Sequence, residues 1–211
     1  STLFPYTTLF RSLFMLVLDR GLALSNAFDG LGEVANDHSG FDRCLPDVPQ
    51  RNQDLAQARK LLADAGKPNL SIDLETAANK PGMLQLVQIL AEDAKKIGVT
   101  IKVHKMELGP YLDKWGEWTF YTGYDTRPYL EGVPEMISGD AVLNHQHWHD
   151  PEFEALAEQL YATADVPRQC EIQKKMKRIE YERGATILAA TNPTVRDRKS
   201  TRLNSSHLFI S

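Results

Sequence analysis

The chain lacks a long hydrophobic run. Apolar residues make up 42% of its 211 positions but are spread along the sequence. A membrane-spanning helix needs about 20 consecutive apolar residues, and no stretch approaches that length. The apolar content suffices for one domain with a hydrophobic core. We therefore expect no stable membrane insertion of this segment.

An excess of positive charge is also missing. The chain has 24 Lys and Arg against 28 Asp and Glu, which gives a net charge of −4. A mildly acidic surface is not the footprint of a nucleic-acid-binding domain. There is no glycine-rich phosphate loop either, because Gly30-Leu31-Gly32 follows no predicted strand. We predict no nucleic-acid partner and no cofactor.

Cysteine is scarce, since Cys44 and Cys170 are the only two in the chain. An exported protein could join them, but two thiols without a spacing motif define neither a metal site nor a disulfide framework. We expect both to be unpaired.

A succession of helix, strand, helix and strand is clearly marked. Residues 54–66 repeat apolar side chains at helical spacing and end at Gly66, where a left-handed cap is expected. Residues 70–75 alternate apolar and polar side chains, as a half-buried strand does. Helical spacing returns in residues 83–97 and alternation in residues 99–103. Strands separated by helices predict an α/β fold with a partly parallel sheet.

The remaining pattern is less regular. The other predicted elements, in chain order, are a helix near residues 18–28, a short helix after Gly109-Pro110 through Trp115, a strand at 118–124, an irregular stretch at 127–149, two helices carrying Phe153 and Ile172, and a last strand at 186–190.

Both ends of the chain have an unusual origin. Residues 2–12 and 197–207 are what two opposing sequencing-adapter sequences encode. Such segments are excluded before fold or targeting is considered. We therefore predict that residues 1–12 and 196–211 are adapter-derived and not native, and that residues 13–195 are the native part.

Short sequence words follow one another along this part in a fixed order. They are Leu18-Asp19-Arg20, Asn36-Asp37-His38, the segments 46–51, 58–66, 81–83, 92–99 and 124–128, and Asn144 with the segment 148–153. In this order they resemble landmarks of the family 5 extracellular solute-binding proteins, the peptide-type and nickel-type receptors of ABC importers.

The resemblance implies a fold and a function. Family members have two α/β lobes joined by a hinge, the type II or venus-flytrap architecture, and residues 13–195 correspond mostly to the second lobe with the hinge region. The implied role is the substrate-binding component of an ABC importer, not an enzyme. It would capture small peptides or related solutes between the lobes and deliver them to the transmembrane permease subunits. The implied location is periplasmic or extracellular and membrane-associated, with the export signal outside this fragment.

Candidate ligand contacts cluster after the predicted strand at residues 118–124. Ligands of α/β sheets gather outside the carboxyl ends of strands, so Asp125 could pair with a ligand ammonium and Arg127 could clamp a carboxylate. Alternatively, these two side chains pair with each other or with a neighbouring loop. Aromatic side chains could line the same site.

The predicted ligand-binding set is Tyr124, Asp125, Arg127, Trp118 and Asn144. Glu75 and Thr76, at the end of an earlier strand, are further candidates for the cleft. Phe120 and Trp148 are expected to fill the core instead.

One alternative function is a metal-dependent hydrolase. His145, His147 and His149 alternate, and imidazole is a common ligand of zinc, nickel and copper. The family resemblance accounts for the same segment with Asn144 and Trp148 and without a metal, so we predict no metal site and no catalytic residue.

Overall fold

The computed structural model of the chain describes residues 7–40, 44–125, 127–194 and 204–210. Its helices are α1 (Thr7–Val17), α2 (Arg20–Ala27), α3 (Leu55–Asp64), α4 (Met83–Lys95), α5 (Leu108–Asp113), α6 (Tyr129–Gly132), α7 (Pro151–Ala162) and α8 (Val166–Arg183). A 3-10 turn spans Trp115–Glu117, and a π-helical turn spans Val133–Ile137. The strands are β1 (Glu33–Val34), β2 (Ser71–Thr76), β3 (Thr100–Lys105), β4 (Thr122–Asp125), β5 (Ile187–Thr194) and β6 (Asn204–Ile210).

These strands form two sheets. β2 and β3 are parallel, with Ser71 opposite Thr100 and Thr76 opposite Lys105. The second sheet has the order β1-β5-β6-β4 and is antiparallel throughout. A parallel bridge from Glu75 to Tyr121 brings the end of β2 beside the start of β4. The predicted parallel βαβ unit is therefore confirmed, whereas the other sheet is antiparallel.

Local sequence signals explain the helix boundaries of this unit. The Asp54 carboxylate accepts a hydrogen bond from the Gln57 amide at 2.8 Å, which caps α3. Gly66 ends that helix in the left-handed region at φ 64°, as predicted. At the start of α4, Gly82 has φ 82°, and a Cβ there would collide with the Ala27 carbonyl oxygen. Glycine thus lets α4 approach α2 closely.

Among the residues that the structure describes, three apolar clusters form the core. The largest joins α1 to α4 with β2, β3 and β5 and includes Leu74, Leu86 and Leu90, each 0% exposed. A second lies between α7, α8 and the segment around Tyr129, with Phe153 and Met176 at its centre. A third contains Tyr111, Tyr121 and Leu188. Phe120 and Trp148 are each 6% exposed, which confirms the expectation that they fill the core.

Several predicted elements differ from those observed. The first predicted helix begins at Arg20, where the Asp19 side chain caps it, and α1 precedes it. The strand expected at residues 118–124 is shorter, because a 3-10 turn at Trp115–Glu117 precedes it and regular pairing begins at Thr122. The stretch expected to be irregular contains α6 and the π-helical turn.

Both segments predicted to be adapter-derived contribute to observed elements. α1 runs across residue 12, and its Phe10 packs against the largest core cluster. β6 lies within residues 196–211 and pairs with both β4 and β5. The adapter origin of both segments stays a prediction. In the part of the chain that the structure describes, no helix is both long and apolar enough to cross a membrane.

The expectation that the cysteines are unpaired is wrong. Cys44 and Cys170 form a disulfide with their Cα atoms 5.2 Å apart, although 126 positions separate them in the sequence. The sequence carries no spacing signal for this pair, because the approach is produced by the packing of α8 against the segment before α3.

Candidate functional site

The predicted site lies where the end of β2 runs beside the start of β4. The Glu75 amide donates to the Phe120 carbonyl oxygen at 3.0 Å, which sets the two strands in register. Inside this edge, the Thr122 hydroxyl is 2.8 Å from the Thr76 hydroxyl, and both residues are buried. Lys80, which follows β2, places its ammonium group 4.1 Å from the centre of the Tyr124 ring. The end of β2 and the adjoining β4 therefore form one continuous edge, called the strand-end rim below (residues 75–80, 121–125 and 127).

Tyr124 and Asp125 are the last residues of β4. Tyr124 lies opposite Leu208 of β6 and packs, half-buried, against the largest core cluster. The backbone of Asp125 lies opposite His207. The ammonium-binding role predicted for Asp125 falls on a side chain outside the described part of the structure.

Arg127 is held by the neighbouring π-helical turn. Its Nε is 2.7 Å from the Glu135 carboxylate, and its Nη1 is 3.1 Å from the Met136 sulfur. The side chains of Arg127 and Glu135 are 34% and 54% exposed, so this ion pair is in contact with water. Exposed ion pairs contribute little to stability, so a ligand carboxylate could replace Glu135 at low cost.

Trp118 joins the aromatic cluster beside the strand-end rim. Its indole N–H donates to the Tyr111 carbonyl oxygen at 3.1 Å, and its ring stacks on the Tyr111 ring with centroids 6.3 Å apart. The Tyr111 hydroxyl in turn donates to the Thr122 carbonyl oxygen at 2.5 Å. Burial is the main cause that raises the pKa of Tyr111 to about 12, so this hydroxyl stays protonated and donating. Trp118 thus has a fixed ring and remains half-exposed.

Asn144 has a different environment from the other four predicted residues. It is buried, and its amide nitrogen donates to the carbonyl oxygens of Gly139 and Trp148 at 3.2 Å and 2.9 Å. Its amide oxygen accepts from the Trp148 backbone at 3.3 Å. These bonds hold the loop before α7 in shape. The predicted ligand role of Asn144 stays untested, and its observed contacts are structural.

The three histidines do not converge. The His145 ring packs 5.0 Å from Trp115, while the His147 Nε2 lies 3.1 Å from the Gly116 carbonyl oxygen. Burial, and secondarily His147, lowers the pKa of His145. Among the described residues, no group of three His, Cys, Asp or Glu side chains is arranged to hold a metal ion. No observation therefore supports the hydrolase alternative.

Two buried carboxylates form polar centres. From the sequence, no buried centre is predicted at Glu180, and Asp37 is marked only as part of the Asn36-Asp37-His38 landmark. Asp37 contacts Arg20 at 2.5 Å and Arg51 at 2.7 Å with its own side chain fully buried. Glu180 accepts from the Tyr129 hydroxyl at 2.6 Å and from the Ser39 amide at 2.8 Å.

A small cavity between β5 and α8 is lined by both carboxylates, and burial raises the pKa of Glu180. The burial of Glu180 could have been predicted from its position in the sequence. Glu180 follows Met176 by four residues and therefore lies on the apolar face of α8.

Comparison with known families identifies the fold. A family model described as bacterial extracellular solute-binding proteins, family 5 Middle, matches residues 10–136, which is more than half of the chain. The chain belongs to this family. The match includes the βαβ unit and the strand-end rim. Members of the family are extracellular or periplasmic solute-binding proteins.

Solved structures of solute-binding proteins share the fold at low sequence identity. AppA from Bacillus subtilis, in complex with a nonapeptide, matches with a TM-score of 0.75 at 15% identity, covering 100% of this chain and 44% of that one. NikA from Staphylococcus aureus, in complex with Ni(L-His)2, matches with a TM-score of 0.73 at 17% identity, covering 98% and 43%. DppA from Helicobacter pylori, in complex with the peptide STSA, matches with a TM-score of 0.71 at 15% identity, covering 99% and 41%.

Each match covers nearly all of this chain but less than half of the other protein. The described fold corresponds to less than half the length of each of these three solute-binding proteins. Among curated proteins, none matches the chain.

Proposed function

We propose that this chain is part of the substrate-binding component of an ABC importer. The complete protein captures small peptides or related solutes between two lobes and delivers them to the transmembrane permease subunits. The family match over residues 10–136 carries the proposal. No covalent chemistry is needed, so the protein acts as a receptor and not as an enzyme.

The strand-end rim supplies the ligand contacts of this lobe. In the proposed mode, Asp125 pairs with a ligand ammonium group and Arg127 exchanges Glu135 for a ligand carboxylate. Trp118 and Tyr124 present aromatic rings that exclude water from those contacts. Ligand that touches both lobes favours the closed form by its higher affinity for that form.

The proposal extends to the ends of the chain and to its location. Residues 13–195 are the partial receptor domain, with the second lobe and the hinge region, and residues 1–12 and 196–211 are adapter-derived. The complete receptor is associated with the outer face of the cytoplasmic membrane through its permease. The similarity of AppA and DppA, whose structures contain peptides, supports peptides as the ligand class.

Calorimetry on the complete receptor tests this function. The complete coding sequence is recovered by extending the native part, residues 13–195, in both directions in the source DNA. The purified protein is then titrated with a peptide library. We expect selective binding, and we expect Arg127→Ala to weaken it by about tenfold to a hundredfold, because a hydrogen bond to a charged group contributes about 1.5–3 kcal/mol. The isolated 211-residue chain should bind poorly, because the other lobe is missing.

The matched control is Arg178→Ala. Arg178 also forms an exposed ion pair, with Glu182 on α8, but lies away from the strand-end rim. If the Arg127→Ala and Arg178→Ala variants bound peptide with equal affinity, Arg127 would not be a ligand-binding residue. Tight and selective binding by the isolated chain would contradict a site shared between two lobes.

A further inference from the structure

A half-buried carboxylate lies beside the aromatic cluster next to the strand-end rim. Among the described residues, the Glu75 carboxylate near the end of β2 accepts a hydrogen bond only from its own backbone, and His104 is the one cationic group that favours its charge. Its neighbour two positions earlier, Asp73, is exposed and bonded to His104 at 2.7 Å. Burial is the main cause that raises the pKa of Glu75, which means that its charge is poorly compensated.

The same cluster contains a donor without a partner. The Trp115 indole N–H is buried and has no hydrogen-bond acceptor within the described part of the chain. Buried donors in native proteins are almost always paired, so an unpaired one calls for an explanation.

Tyr121 connects these two groups. Its backbone bridges to Glu75, and its ring meets the Trp115 ring edge-on with centroids 6.4 Å apart. Tyr111 belongs to the same cluster and lies close enough for the Glu75 charge to act on its hydroxyl. A half-buried carboxylate that no other side chain binds directly, beside aromatic rings, is suited to an ammonium or guanidinium group, which ring faces and carboxylates both attract.

We propose that Glu75, with the aromatic cluster of Tyr111, Trp115, Trp118 and Tyr121, binds a cationic side chain of the ligand, and that the Trp115 indole N–H donates to a neighbouring carbonyl oxygen of that ligand. This inference rests on the proposed receptor function for the identity of the ligand. It is separate from the contacts of Asp125 and Arg127, because it concerns a second charged group. It narrows the ligand class to basic peptides or comparable cationic solutes.

Nuclear magnetic resonance on the 211-residue chain tests the site without lobe closure. The probe is lysine with its α-amino group acetylated and its carboxyl group methylamidated, and the matched probe carries an additional acetyl group on Nζ. Signals of the Trp115 and Trp118 indole N–H groups are followed during titration. We expect saturable shifts with a dissociation constant on the order of 1 mM for the charged probe only, typical of one small subsite.

The variants are Glu75→Gln and, as the matched control on the same strand, Asp73→Asn. Glu75→Gln should weaken binding of the charged probe at least about tenfold, because the charge-assisted contact is lost, while Asp73→Asn should not change it. Equal binding of both probes, unchanged binding in Glu75→Gln, or no saturable shift in the unmodified chain would each overturn the inference. None of these results bears on peptide binding by the complete receptor, which calorimetry tests independently.

Discussion

At the residue scale, the strongest structural constraint is the fully buried carboxylate of Asp37. It joins Arg20 at the start of α2 to Arg51 before α3 and accepts a hydrogen bond from the Leu188 amide of β5 at 2.9 Å. Arg20 further donates to the carbonyl oxygens of Met15 and Leu188. Buried charges are tolerated only when they are paired and hydrogen-bonded. Asp37 therefore connects elements that are distant in sequence.

Replacing Asp37 by Asn should strongly destabilise the fold. Asn keeps the size of the side chain but removes the charge, which leaves Arg20 buried without its counter-ion, and breaking a buried pair in this way costs about 3–5 kcal/mol. Chemical denaturation with urea measures the change in the free energy of unfolding.

The control for this substitution is Asp64→Asn. Asp64 forms an ion pair with Lys60 at 2.9 Å, and the two side chains are 67% and 54% exposed for Lys60 and Asp64. An exposed helical pair contributes only about 0.3–0.5 kcal/mol. If both variants lost a similar amount of free energy of unfolding, the buried Asp37 ion pairs would stabilise the fold no more than an exposed ion pair does.

Residue chemistry could be predicted from the sequence only where it depends on local spacing. Gly66 lies within four residues of the groups it caps, and its predicted role is confirmed. The pairing of Cys44 with Cys170, in contrast, depends on how distant segments pack, and no local pattern encodes it. The contact of Arg127 was only partly predictable. The sequence left open whether Arg127 binds a ligand carboxylate or pairs within the chain, and its observed partner Glu135 lies eight positions away.

At the element scale, one carboxylate connects the start of α7 to the end of α8. Asp150 caps α7 by accepting from the Glu152 and Phe153 amides, each at 3.0 Å. The same side chain binds Arg183 in the last turn of α8, and Arg183 also contacts Glu152 at 2.5 Å. Both helices were predicted from apolar spacing, but this connection was not, since 33 positions separate its partners.

Replacing Asp150 by Asn should lower the free energy of unfolding, and the size of this loss should depend on pH. Asn retains the capping function, so the variant chiefly loses the ion pair with Arg183, a loss of about 1 kcal/mol at pH 7 because Arg183 is partly exposed. The hydrogen bond from Arg183 is the main cause that lowers the pKa of Asp150 below its usual 3.8. A lowered folded-state pKa stabilises the fold above the unfolded-state pKa, and that stabilisation disappears as pH falls through the folded-state value.

Thermal unfolding of both proteins between pH 7 and pH 2 measures this difference. It should stay constant at neutral pH and shrink once the pH falls below about 4. A difference that persists unchanged at pH 2 would mean that the ion pair is not its cause.

At the scale of the whole molecule, the helical layer of α7 and α8 packs beside the sheets through a few specific links. The segment before α3 contacts α8 through the disulfide at Cys170, through Arg51, whose guanidinium lies 4.1 Å from the centre of the Tyr181 ring, and through the Ser39 amide, which donates to Glu180. These links set the position of the second apolar cluster relative to the largest one. The α/β class was predictable from periodicity, but this arrangement was not, because it depends on contacts between positions more than a hundred residues apart.

Removing the disulfide should therefore destabilise the whole fold. A cross-link between positions 126 residues apart restricts the unfolded chain, and closing a loop of this size stabilises the folded state by about 3–5 kcal/mol in the chain-entropy model. Urea unfolding of the oxidised chain is compared with that of the double variant Cys44→Ala and Cys170→Ala. Reducing agent should bring the unmodified chain to the stability of the variant and leave the variant unchanged. If oxidised and reduced chains unfolded at the same urea concentration, the cross-link would not hold the two clusters together. Arg51, the hydrogen bond from Ser39 to Glu180 and the apolar contacts of α8 would then do so without it.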